Sequence, residues 1–115
     1  MRGENYFHFI GVISSEPECR ENVTRIQIEV VREYRSKGRR VKEDDQFPIF
    51  FYDKLAEITS SMLKKGDVVF IKGRIEHNYI VDDDGRKHSS FKFRANEFNL
   101  LVRNPSIEDI MNGDY

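Results

Sequence analysis

YDKLAEITSSMLKKGDVVFIKGRIE, residues 52–76, changes its hydrophobic period halfway along. In the first half Leu55, Ile58, Met62 and Leu63 recur at i, i+3, i+7 and i+8, Lys64 and Lys65 follow, and Gly66 stands where a helix would stop. That spacing predicts a short helix with one apolar face. The second half is β-branched and alternating: Val69, Ile71 and Ile75 read as inward, Phe70, Lys72 and Arg74 as outward, so a strand follows.

Working outward, every other apolar stretch has a strand period. NYFHFIGVIS (5–14) is aromatic and β-branched, with Gly11 where a barrel strand bulges or bends. In TRIQIEV (24–30), Ile26, Ile28 and Val30 point one way and Arg25, Gln27 and Glu29 the other, as in a half-buried strand. FPIFFYD (47–53) has no polar face: Phe47, Ile49 and Phe51 lie on one side, Pro48, Phe50 and Tyr52 on the other. After the helix and fourth strand, DDDG (82–85) makes a tight turn and KHSSFKFRANEFNLL (87–101) is the last strand. The order is three strands, one helix, two strands. Among mainly all-β architectures, five strands with one short helix between strands 3 and 4 is the OB-fold, a Greek-key barrel. Residues 1–102 are assigned to this domain and residues 103–115 to a short, polar, flexible tail.

Bulk properties agree with one domain. The chain has 115 residues, 38% of them hydrophobic, with nine Phe and five Tyr, enough to bury a core without staples. Cys19 is alone, which excludes an internal disulfide, and no apolar run reaches the roughly 18 residues of a membrane span. MRGENYF lacks the apolar region of a signal peptide, so a reducing cytoplasm is expected and no membrane. His8, His77 and His88 have no metal-ligand spacing with Cys19, DDDG lacks the bidentate Glu of a calcium loop, and no Gly-rich phosphate loop occurs. With no catalytic or metal constellation, the reading is a binding module.

One segment stands out against a net charge of −1. REYRSKGRRVKEDD (32–45) carries Arg32, Arg35, Lys37, Arg39, Arg40 and Lys42 within eleven residues and then Glu43, Asp44 and Asp45. It joins strands two and three and is either a solvated loop or a basic finger whose own acids partly neutralise it.

Several short motifs keep their mutual spacing across about fifty residues: K-L-A-E (54–57), L-x-K-G (63–66), G-x-[IL] (73–75), D-x-x-G-x-K (82–87) and A-x-E (95–97). In this the chain resembles the bacterial single-stranded DNA-binding proteins over roughly residues 5–101. The resemblance implies a homodimeric or homotetrameric OB-fold in the cytoplasm of a bacterium or a phage-infected cell. It would bind single-stranded DNA without sequence preference in replication, recombination or repair, need no cofactor and perform no reaction. Such binding uses cations that track phosphates and exposed rings on which bases stack, each stack worth roughly 1–3 kcal/mol. The basic finger supplies Arg32, Arg35, Lys37, Arg39 and Arg40, and Tyr34 sits where the family carries a stacking ring. Phe50 and Tyr52 are candidate stackers, Phe70, Lys72 and Arg74 a mixed outward stripe, and Tyr79 a further ring. The chain has no Trp, and two family Trp positions hold Gln46 and Ile80. Its end, IEDIMNGDY, lacks the acidic Pro-Phe tip by which the family recruits replication proteins. Two other functions remain open: a replication or primosome accessory protein working through protein contacts, and single-stranded RNA binding by the same surface.

Overall fold

The structure, a computed structural model, describes residues 1–104. Its elements are β1 (Phe7–Ile13), β2 (Glu18–Arg20), β3 (Val23–Ser36), β4 (Arg39–Tyr52), α1 (Asp53–Met62), β5 (Val68–Val81) and β6 (Lys87–Val102). The strands run in the order β1-β5-β6-β4-β3-β2, and β1 returns to pair with β3, so the five long strands close into the predicted barrel. All neighbours are antiparallel except β4 and β6, which are parallel at Ile49–Phe93 and Phe50–Arg94. The extra strand, β2, is three exposed residues added to β3, too short and polar to show a period.

Alternation decides what fills the barrel. Ile26 and Ile28 of β3, Ile49 and Phe51 of β4, and Val69 and Ile71 of β5 are fully buried together with Ile13. Truncating a ring such as Phe51 to Ala costs about 3–5 kcal/mol in a packed interior. At one end of the barrel Phe9 stacks on Phe47 with centroids 4.5 Å apart, and Phe93 meets Phe47 edge-on at 5.5 Å. Gly11 lies where β1 turns from β5 toward β3, and a Cβ there would stand 2.3 Å from the Glu29 carbonyl oxygen. The bend anticipated at Gly11 is thus a close backbone approach.

The helix departs from its predicted face. It runs straight on from β4 at Asp53, which takes a left-handed φ of 55°, and ends at Met62, so the two lysines lie beyond it. The buried residues are Ala56, Thr59 and, just past the end, Leu63, whereas Ile58 and Met62 are 37% and 42% exposed. Thr24 of β3 donates to the Ala56 carbonyl at 2.6 Å, so the helix approaches the sheet too closely for anything larger at that point. Gly66 serves the next turn instead, with φ 95° and its N–H bonded to the Ile13 carbonyl at 2.7 Å. In the segment read as a tail, the Asn104 N–H donates to buried Asp67 at 3.1 Å and Arg103 donates to the Met62 carbonyl at 3.0 Å. Residues 105–115 lie outside the described residues.

Both β3 and β5 run antiparallel to β1. The β3–β4 and β5–β6 hairpins therefore leave the barrel at the same end, as two arms. The basic finger is not a loop: its ladder continues to Ser36–Arg39, and Lys37 and Gly38, with φ of 52° and 77°, make the two-residue turn. Positive φ at both central positions matches the right-handed strand twist, which is why such turns join long ribbons.

Candidate nucleic-acid interface

With Ile49 and Phe51 inside, Phe50 and Tyr52 must face out, and both are half-buried in the side of the barrel. The parallel register sets Arg94 of β6 beside Phe50, and Lys92 shares Arg94's face of the strand. Lys92 Nζ lies 4.7 Å from the centroid of Phe50 and 5.7 Å from that of Tyr52, and donates to the Tyr52 hydroxyl at 2.9 Å. The Arg94 guanidinium lies 4.2 Å from the Tyr52 centroid. Arg25 is opposite Phe50 on β3, and Arg74 opposite Arg94 on β5. Glu76 partly balances this group, 3.4 Å from Arg74 and 3.6 Å from Arg94. The result is two flat rings surrounded by cations, the combination that holds a base and its phosphate together.

The outward stripe of β5 is divided. Arg74 joins the platform through Glu76, but Lys72 pairs with Glu97 at 3.8 Å and lies 5.9 Å from the Tyr6 ring. Phe70 is opposite Ile10 and packs edge-on to His8 at 6.2 Å, on the β1 side, so it is not brought together with Phe50 and Tyr52. Lys92, Arg94 and Arg25 were missed in the sequence. Alternation within FKFRA (91–95) and TRIQIEV was the available signal, but only the register shows which rings those cations reach.

The basic arm has two halves. Near its root Arg32 is held between Glu43 at 2.7 Å and Asp45 at 3.1 Å, and Lys42 lies 4.0 Å from Glu33. Tyr34 donates its hydroxyl to Glu43 at 2.6 Å, and that bond, helped by burial and the carboxylate's charge, pushes the phenol's pKa up. Toward the tip, Arg35, Lys37, Arg39 and Arg40 have no acidic partner among the described residues. Arg35 and Arg40 are direct cross-strand neighbours, a like-charge pair that costs stability until an anion lies between them. Strand parity puts these two on the side of the ribbon that carries Phe50, whereas Arg32, Tyr34 and Arg39 share the side of Ile26 and Ile28. Tyr34 and the barrel platform therefore face different ways.

Tyr79 is on the other arm, 62% exposed, with Lys87 Nζ 5.6 Å from its centroid. The turn of this arm is closed by Asp82, whose carboxylate accepts from His88 at 2.7 Å and from the N–H groups of Asp84 and Arg86. The His88 bond first, then the Arg86 N–H, holds the Asp82 carboxyl below its ordinary pKa. Gln46 bridges Ser14 and Glu29 at 2.8 and 3.1 Å, and Ile80 is exposed, so neither position offers a ring. Among the described residues no cluster of three or more His, Cys, Asp or Glu could hold a metal ion, and no helix is long and apolar enough to cross a membrane.

Comparison with known proteins gives a consistent result. A single-stranded DNA-binding protein of Neisseria meningitidis is 32% identical over 98 residues, covering 80% of this chain and 56% of the relative. The chain thus spans a little over half the length of that relative. Two solved structures share the fold. A deletion mutant of the single-stranded DNA-binding protein from Thermus aquaticus superposes with a TM-score of 0.77 at 22% identity, covering 87% of this chain and 51% of that one. A Plasmodium falciparum SSB complex with ssDNA superposes with a TM-score of 0.74 at 16% identity, covering 90% and 98%. The profile of one protein family matches residues 5–101, most of the chain, and with that match the chain belongs to the Single-strand binding protein family.

Proposed function

We propose that this chain binds single-stranded DNA without sequence preference and performs no reaction on it, protecting exposed strands during replication, recombination or repair in the cytoplasm. The observation that carries the reading is the Phe50–Tyr52 platform with Lys92 and Arg94 against its rings, an arrangement that stacks any base and neutralises its backbone. The tip cations Arg35, Lys37, Arg39 and Arg40 lengthen the electrostatic path. Family membership and the named relatives support the same ligand.

The unit of function is a twofold oligomer. β1 pairs with β5 along Phe7–Val12 but with β3 only at Val12 and Ile13, which leaves one edge of its first half open. Its outer face exposes Tyr6 and Ile10 at 62% and 61%, beside Phe70. An open edge and an apolar face on one strand suit pairing with a second copy across a twofold axis.

Affinities for oligothymidylate, oligouridylate and duplex DNA at two salt concentrations test the reading. Oligothymidylate should bind with a clear salt dependence and duplex at least about 100-fold more weakly, since paired bases cannot reach the rings. Equal affinity for duplex would remove the platform from the account, and preference for oligouridylate would make RNA the ligand. Light scattering should give a mass of at least twice 13.6 kDa.

A further inference from the structure

The short strand β2 ends the sheet, and its outer edge has no neighbouring strand. Glu21 and Asn22, both at positive φ, make a two-residue turn into β3, so Arg20–Val23 and Glu18–Arg25 are the hydrogen-bonded pairs of that ladder. The N–H and C=O of Cys19 therefore point away from β3, and no main-chain bond reaches them from another element among the described residues. Exposed edges are commonly guarded by charge, because like charges repel a second strand. Here the charges are of opposite sign. Glu18 and Arg20 flank Cys19, all three are exposed, and neither charge has an ion-pair partner among the described residues. Arg25, opposite Glu18 on β3, donates to Gln27 at 3.3 Å instead. The three β2 residues line a groove together with Val23 and Arg25.

We propose that β2 is a contact edge for a second copy of this chain, paired antiparallel about a twofold axis at Cys19. Glu18-Cys19-Arg20 is its own complement in that register: the two Cys19 residues exchange N–H···O=C bonds, and each Glu18 lies opposite the other copy's Arg20. A parallel pairing sets Glu18 against Glu18, and an antiparallel slip of two residues sets Glu18 against Glu18 or Arg20 against Arg20, so the order of charges selects both the partner and the register. The edge is separate from that of β1, which meets β3 at Ile28 and Glu29 while β2 meets it at Val23–Arg25. Cross-strand neighbours share a face, so Glu18 and Arg20 stand on the side of the sheet that carries Arg25 and Phe50. Two copies joined here have the Arg20 and Arg25 side chains of both on one face of the joint. One main-chain exchange and two surface ion pairs make a weak contact. It becomes effective between copies held close together, as on one nucleic-acid strand, where local concentration stands in for affinity. That use rests on the single-strand reading above, whereas the pairing itself does not.

Cys19 is the chain's one cysteine, so a short bismaleimide joins two copies only through it. Initial rates of covalent dimer formation are measured for concentrated free protein and for dilute protein on a long oligothymidylate, each divided by the rate with N-ethylmaleimide to correct for thiol reactivity. The parent should form the dimer in concentrated solution, and at much lower concentration on the oligothymidylate. Arg20→Glu and Glu18→Arg should each slow it about ten-fold at low salt, because two attractive pairs become repulsive. An equimolar mixture of those two variants, and the double variant with both changes, should restore it, and the double variant does so at the parent's net charge. All of these side chains are exposed, so the core is spared. Parental rates in both single variants overturn the edge contact, since collision or the β1 edge would then account for the dimer. Failure of the mixture and of the double variant to recover also overturns it, as does a parent that forms no covalent dimer under either condition. A charge-dependent dimer in free protein, beside an oligothymidylate that the protein does not bind, upholds the edge contact and fails the single-strand reading alone.

Discussion

The two arms are both antiparallel ribbons leaving one end of one barrel, yet they differ in the range over which they act. The β3–β4 arm carries charge: four cations near its tip have no acidic partner among the described residues, and its one ring, Tyr34, is tethered to Glu43. The β5–β6 arm carries rings: Tyr79, His77 and Phe91 lie together, with Glu76 at its root and its other acids at the turn. Charge acts over about a Debye length, near 8 Å at physiological salt, and weakens as salt rises, whereas stacking acts only at contact and is nearly indifferent to salt. On the single-strand reading proposed above, the charged ribbon acts at range and rings act only at contact, with the Phe50–Tyr52 platform doing some of both.

The largest expected effect breaks the charged arm. Changing Arg35, Lys37, Arg39 and Arg40 together to Ser should lower affinity by about 100-fold or more at low salt and flatten the slope of log K against log salt by up to about 0.7 for each phosphate no longer neutralised. Thermal stability should hold, because these side chains are exposed and removing the Arg35–Arg40 repulsion offsets the little packing they supply. An unaltered salt slope would show that the arm never meets the phosphates.

A smaller effect sharpens the comparison between rings. Tyr52→Leu should cost about 1–3 kcal/mol in binding a pyrimidine oligonucleotide with the salt slope preserved. Tyr34→Leu should cost well under 1 kcal/mol, because that ring faces the other side of its ribbon with its hydroxyl engaged by Glu43. Tyrosine fluorescence quenching by oligothymidylate should follow the same ranking, with no Trp to obscure it. Equal losses would mean that the ribbon twists Tyr34 onto the strand's path.

The turns differ too. Lys37 sits at φ 52°, a left-handed conformation that costs a residue with a Cβ roughly 1 kcal/mol, so Lys37→Asn should raise stability by about half of that in chemical denaturation while weakening binding slightly. In the second arm, Gly85 takes the left-handed position at no such cost, with φ 80°. That turn depends on Asp82 instead. Because its folded pKa is lowered, the contribution of Asp82 is present above the ordinary carboxylate pKa and lost as pH falls through the folded value. The amide resonances of Asp84 and Arg86 should shift together as pH falls through a midpoint below the ordinary carboxylate value, and Asp82→Asn should abolish that shift. This is the smallest effect, since the carboxylate is at the surface.

Much of this molecule follows from periodicity alone. Ile49 and Phe51 inside with Phe50 and Tyr52 outside is a consequence of two-residue alternation, as is the paired placement of Ile26 and Ile28, because a strand has only two faces. The element order and the exceptional glycine at position 11 were legible for the same local reason. A helix offers a continuum of faces, so the apolar spacing of Leu55, Ile58, Met62 and Leu63 did not reveal that Ala56 and Thr59 would be the contact; the distance at which α1 crosses the barrel chose the small residues. Long-range register decided the rest. Lys92 and Arg94 reach Phe50 and Tyr52 only because β4 and β6 pair in parallel across the intervening helix and β5. Glu43 and Asp45 neutralise Arg32 rather than the tip because the two-residue turn at Lys37 and Gly38 sets each acid opposite or diagonal to that one arginine. Local pattern states which side of its own strand a residue occupies, whereas its partners are set by closure of the barrel, an energy shared among all five strands and written in none of them separately.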